Sequence, residues 1–282
     1  MTDGASWRNA VLAGHTDPVA PRDSATVILL RPGVGGAFQV CLLRRAATMR
    51  VGAGLYVFPG GAVDAEDVDD ARACLPWIGA QPERWAAWFG VSREHAASFV
   101  YSAVRETFEE SGVLLAGPAT HPLDGPSARP EGAATGLPPV DRSFAAMLAH
   151  RGLTVRADLL RPWSRWVTPR TERKRFDTRF FVAVVPPDQE PRVASPESDR
   201  LVWMTPAEAV DHWDAGGLPM ALPTSETLRE LAELSRTATL DTILELRRDL
   251  HPVEPAVRRR ANDSVVLVAP DGREYQPPRI AR

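Results

Sequence analysis

The sequence is poor in the residues that staple, span or coordinate softly. Cys41 and Cys74 are the two cysteines in 282 residues. That is too few for a disulfide framework, and it leads us to expect a reducing, cytoplasmic setting. No apolar run reaches the length of a membrane span. The N-terminus has no basic segment leading into an apolar one, and the C-terminus matches no anchoring or peroxisomal address, so a soluble intracellular protein is expected. The six histidines are scattered without metal-ligand spacing, and His150 and His212 read as ordinary helix surface. There is no P-loop, no Gly-x-Gly-x-x-Gly and no Ser/His/Asp arrangement. A net charge of −3 gives no electrostatic case for nucleic acid or a membrane surface as partner.

What the chain does have is an acidic cluster, Arg105-Glu106-Thr107-Phe108-Glu109-Glu110-Ser111-Gly112-Val113. On a helix Glu106 lies at i,i+3 from Glu109 and i,i+4 from Glu110, so like charges share one side and repel. Such a cluster calls for a cation, and hard divalent ions prefer carboxylate oxygens shared with substrate phosphates. Ser92 is the expected N-cap of this helix and Gly112 its stop, with Ala97, Val100, Tyr101, Val104 and Phe108 as the apolar stripe.

Upstream, Ala25–Leu30, Phe38–Leu43 and Leu55–Phe58 read as short strands, the first two as an antiparallel pair. Pro82–Phe89 reads as a short amphipathic helix, with another helix around Trp7–Leu12. Residues 116–142, rich in Pro, Gly and Ala, read as a long loop. Phe144–His150 reads as a helix, and Trp166–Pro169, Phe176–Val185 and Leu201–Met204 as strands. Thr205-Pro206-Ala207-Glu208 opens a capped helix. Helices at Glu226–Leu234 and Leu240–Arg248 and a strand at Val265–Val268 follow. This alternation points to a mixed α/β sandwich. The basic run Arg170–Arg175 reads first as a solvated hairpin tip and, as the alternative, as a contact for phosphates. Trp85, Trp88, Trp163, Trp166 and Trp203 read as core or cap residues.

The turn Phe58-Pro59-Gly60-Gly61, taken with the acidic helix, resembles the signature of the Nudix hydrolases, Gly-x5-acid-x7-Arg-Glu-apolar-x-Glu-Glu-x-Gly-apolar. The second half is met residue for residue once Thr107 is accepted at the apolar position. The acid of the first half is Asp67 counted from Gly61, or Glu66 counted from Gly60. Residues 68–104 stand where the family has a seven-residue connection, and we expect this insertion to bulge outward. Leu42-Leu43-Arg44-Arg45-Ala46, then Arg50, Gly54 and Phe58, is similar to an extra motif of the coenzyme A diphosphatase branch. The box insertion is similar to that of its peroxisomal members.

The resemblance implies an α/β/α Nudix sandwich with a mixed sheet, a box insertion and extra C-terminal helices. The expected organisation is an extension at 1–23, a Nudix domain at 24–215 and a C-terminal helical extension at 216–282. It implies hydrolysis of a nucleoside-linked diphosphate, foremost coenzyme A or acyl-coenzyme A, with ADP-ribose, NADH or a dinucleoside polyphosphate as the alternative. A non-catalytic ligand-binding protein on the same scaffold is a third reading. Glu106, Glu109 and Glu110 would hold Mg²⁺ or Mn²⁺, with Arg105 orienting Glu109. Arg45, Arg50, Gly60 and Gly61 would bind the substrate by bidentate and backbone contacts. Glu197 stands where some members place an additional carboxylate. The expected partner is this small molecule, and a homodimer is one expected assembly.

Overall fold

The computed structural model describes residues 13–14, 17–73, 77–118, 143–260, 265–269 and 271–275. The expected helix around Trp7–Leu12, Cys74, the bulk of the loop at 116–142 and the last residues lie outside them.

Strand β1 (Arg22–Pro32) is the middle of the fold. It runs parallel to β9 (Phe176–Val184) and antiparallel to β2 (Phe38–Arg45), so the sheet is mixed. β10 (Ser198–Met204) flanks β2, while β8 (Arg161–Val167) and β11 (Pro252–Val253) lie beyond β9. Val27-Ile28-Leu29-Leu30 shows no polar alternation because both faces of β1 are covered. Val27 and Leu29 pack towards the long helix α3 (Arg93–Ser111), and Ile28 and Leu30 into the opposite core. That second core is closed by α5 (Pro206–Asp214), α6 (Leu222–Leu234) and α7 (Leu240–Glu245). The expected α/β/α layering is present.

β1 and β2 pair only at one end, from Leu30↔Val40 to Pro32↔Phe38. Below that they splay. β1 takes β4 (Gly60–Ala62) as its partner, and β2 takes β3 (Tyr56–Val57). The fork between these two prongs positions the site.

The insertion does not bulge outward. It holds α1 (Ala65–Arg72), β5 (Trp77–Ile78), α2 (Pro82–Phe89) and the beginning of α3. Trp85 is fully buried, 5.6 Å from the Phe181 ring of β9, and its indole N–H donates to the Ala80 carbonyl at 3.0 Å. Two large aromatics, Trp85 and Phe89, bury too much apolar surface for this segment to stay in water. β5 joins β6 (Ala116–Pro118) and β7 (Leu153–Arg156) in a separate small sheet, so the expected loop starts later than 116. The segment after 215 is not purely helical, since β11, β12 (Ala256–Arg259), β13 (Val265–Val268) and β14 (Glu274–Tyr275) follow its helices. Phe144–His150 is helix α4, as expected. Among the described residues no helix is long and apolar enough to cross a membrane.

Candidate active site

The carboxylates stand on α3 because its ends are fixed. The Ser92 hydroxyl accepts from the His95 N–H at 3.2 Å, and Gly112 closes the helix at φ 72° with its N–H on the Phe108 carbonyl. Thr107, at the position where the signature has an apolar residue, is fully buried and satisfies its hydroxyl on the Ala103 carbonyl at 2.7 Å.

The turn and the helix meet despite the insertion. The Gly60 N–H donates to Glu110 Oε2 at 3.0 Å. A β-carbon on Gly60 would lie 2.4 Å from the Ala25 carbonyl oxygen, where there is no room for it, and one on Gly61 would lie 2.4 Å from Glu106 Oε1 and displace that carboxylate. Arg105 is buried below this contact. It grips Asp67 through Nε (3.0 Å) and Nη2 (2.8 Å) and also donates to the Ala62 carbonyl at 3.2 Å. Its Nη1 reaches Glu109 Oε2 at 2.9 Å and Glu106 Oε1 at 3.0 Å. Asp67 is itself 2% exposed and accepts the Asp64 N–H at 2.9 Å. Glu66, one residue away on α1, is exposed. The acid facing Arg105 is therefore Asp67.

Burial holds the acids back from ionising. It pushes Glu110 up to about 8, against the Gly60 N–H, and Glu106 up to about 7, against Arg105. Glu109 is raised for the same reason, again opposed by Arg105. Three hard oxygen donors in one helical turn, two of them near neutrality, suit Mg²⁺ or Mn²⁺. They are not gathered into a cage: no three acidic, histidine or cysteine side chains among the described residues stand close enough to hold an ion together. Glu109 is turned to Arg105, and Glu110 to the Gly60 N–H.

Above the carboxylates lies a cavity of about 610 Å³. Gly60, Gly61, Arg105, Glu106, Glu109 and Glu110 form its floor, and Arg45 at the end of β2 and Glu197 just before β10 stand in its wall. Arg45 Nη2 is 4.0 Å from Glu197, and its Nε donates to the Val51 carbonyl at 3.1 Å. Arg50 is exposed and does not line the cavity. The cavity also takes in Arg22, which carries no sequence motif, and Lys174. Lys174 belongs to the basic run expected at a solvated tip. That expectation fails at Thr171 and Arg175 too: both are buried, and Arg175 bonds the Thr168 and Val19 carbonyls and Glu254. The available signal was the distance of the run from Phe176, where β9 begins beside β1.

The NUDT19 Nudix domain matches residues 7–231. The chain belongs to that family. The acyl-coenzyme A diphosphatase NUDT19 of Homo sapiens is 29% identical over 252 residues, covering 74% of this chain and 64% of the relative. A putative nudix hydrolase 7 of Caenorhabditis elegans is 28% identical over 205 residues, covering 72% and 58%. The chain thus spans a little under two thirds of the length of these curated relatives. A NUDIX hydrolase from Alicyclobacillus acidocaldarius, solved by crystallography, superposes with a TM-score of 0.59 at 29% identity, over 79% of this chain and 98% of that one. In this NUDT19-type chain the Nudix signature is split by a packed insertion and closed again by Arg105 and Asp67.

Proposed function

We propose that this chain hydrolyses the diphosphate of coenzyme A or acyl-coenzyme A, yielding 3′,5′-ADP and the (acyl-)4′-phosphopantetheine. The observation that carries the reading is the closure of both halves of the signature under one cavity, Gly60 on Glu110 and Asp67 on Arg105. The names of the relatives add coenzyme A as the substrate class.

Glu106, Glu109 and Glu110 are the residues that would hold Mg²⁺ or Mn²⁺. When bound, the ion neutralises charge on the diphosphate and lowers the pKa of a coordinated water. The protein's own contribution is positioning and electrostatics, which dominate phosphoryl transfer. Gly60 and Gly61, without side chains, let phosphate oxygens approach the carboxylate floor. Arg105 fixes Glu109 at 2.9 Å and keeps three acids tolerable in one turn. Arg45 lies in the wall, where a guanidinium can take a phosphate with two parallel N–H bonds. No protein nucleophile is required.

The test is a metal-dependent hydrolysis panel of coenzyme A, acyl-coenzyme A, NADH and ADP-ribose. Coenzyme A or its acyl esters should be cleaved fastest, and Glu109→Gln should lower the rate on the order of a thousandfold, the scale of losing several kcal/mol of transition-state stabilisation. Faster cleavage of ADP-ribose overturns the substrate, and an undiminished Glu109→Gln overturns the site.

A further inference from the structure

The cations of the cavity are not equivalent. Among the described residues four line it: Arg22, Arg45, Arg105 and Lys174. Arg105 is locked among buried carboxylates, and Arg45 faces Glu197. Arg22 has Asp64 at 3.9 Å, with both side chains more than half exposed, a pairing of little energetic weight. Lys174 has no carboxylate partner among the described residues and rests over the Phe176 ring at 5.4 Å.

Their place in the fork separates Arg22 and Lys174 from the carboxylate floor. Gly60 pairs with Thr26 of β1, whereas Phe176 pairs with Arg22, and the Arg22 N–H donates to the Arg175 carbonyl at 2.9 Å. Those two rows are four steps apart along β1, roughly 13 Å at about 3.3 Å per residue. A phosphate on the Gly60 floor and a second phosphate beside Arg22 and Lys174 would therefore meet different rows of the fork, as two phosphates of one extended nucleotide can. Arg45 stands across the fork on the β2 prong.

We propose that Lys174, with Arg22 beside it, forms a second anion subsite for a phosphomonoester that the substrate carries in addition to its diphosphate. The proposal rests on the diphosphatase reading and sharpens it: the substrates selected are nucleotides bearing an extra terminal phosphate, such as the 3′-phosphate of coenzyme A. An unpaired ammonium gains more from such an anion than a guanidinium already facing an acid, because no existing ion pair has to be given up.

Two measurements test it. Calorimetry compares binding of 3′,5′-ADP with that of 5′-AMP, and kinetics compare kcat/KM for coenzyme A with that for 3′-dephospho-coenzyme A. Each is read as a preference ratio in wild type, Lys174→Ala and Lys174→Arg. The ratio should fall about tenfold in Lys174→Ala, the scale of one charge-assisted hydrogen bond, and be retained in Lys174→Arg. A ratio unchanged in Lys174→Ala overturns the subsite. A wild type that prefers the bisphosphate yet cleaves neither coenzyme overturns the diphosphatase reading and leaves the subsite standing.

Discussion

The floor of the cavity and its rim are built by opposite means. On the floor, Arg105 and Asp67 are almost wholly enclosed, and each polar atom of the pair has a protein partner. On the rim, Arg22 and Lys174 are exposed, and Arg45 is loosely paired at 4.0 Å. A buried ion pair holds geometry because either partner alone is costly in a low dielectric. An exposed cation keeps rotamer freedom and remains available to a ligand. Under the proposed function the difference would separate two tasks, the floor fixing where the chemistry happens and the rim selecting what reaches it.

The contrast can be broken most severely at Asp67. Asp67→Ala should lower the unfolding free energy by about 3 kcal/mol, because it strips the bidentate partner from a buried guanidinium. Urea denaturation measures this, and a loss below about 0.5 kcal/mol would place Arg105 in a far wetter setting than its burial indicates.

The acids of the floor should make stability fall with pH. Glu106 and Glu110 sit at about 7 and about 8, above the usual glutamate value, so the folded chain keeps protons that the unfolded chain has released. Their stabilising effect is complete below about pH 4.5 and is lost as pH rises through those folded values. Without divalent ions the melting temperature should drop by about 5 °C or more between pH 5 and pH 8. Glu110→Gln should flatten that slope, and Mg²⁺ should raise the melting temperature more at pH 8 than at pH 5. A slope unaltered in Glu110→Gln would remove that residue from the account.

The smallest effect on the fold belongs to the rim. Arg45→Ala should change stability by no more than about 0.5 kcal/mol while raising KM about tenfold. Denaturation and steady-state kinetics on the same preparation check both halves, and a variant that unfolds as easily as Asp67→Ala would erase the distinction.

The sequence displayed the floor better than the rim. α2, α3 and α4 span the residues expected of them, and the Gly60 turn meets Glu110 across the insertion. α1 was not visible, because Ala-Glu-Asp-Val-Asp-Asp-Ala-Arg has no apolar stripe and is held instead by Asp67 on the Asp64 N–H. The same burial separates Asp67 from Glu66, and counting along the chain could not. β5, β6 and β7 are two to four residues long and exist by pairing across distant segments, which local pattern does not record. For Lys174 the phosphate reading ranked second because a basic run reads the same at a solvated tip and at a cavity wall.

The insertion has one consequence for how the site is held together. Asp67 and Arg105 are 38 residues apart along the chain, so their contact closes a long loop. Relative to a seven-residue connection, that closure costs about 1.5 kcal/mol of extra chain entropy. Trp85 against Phe181 and Phe89 against Phe99 more than offset it, since each buried aromatic contributes about 2 kcal/mol. The acid and the arginine are thus kept within reach by aromatic rings that touch neither of them. A cavity at Trp85 would be felt at the carboxylates through the entropy of the segment that joins them.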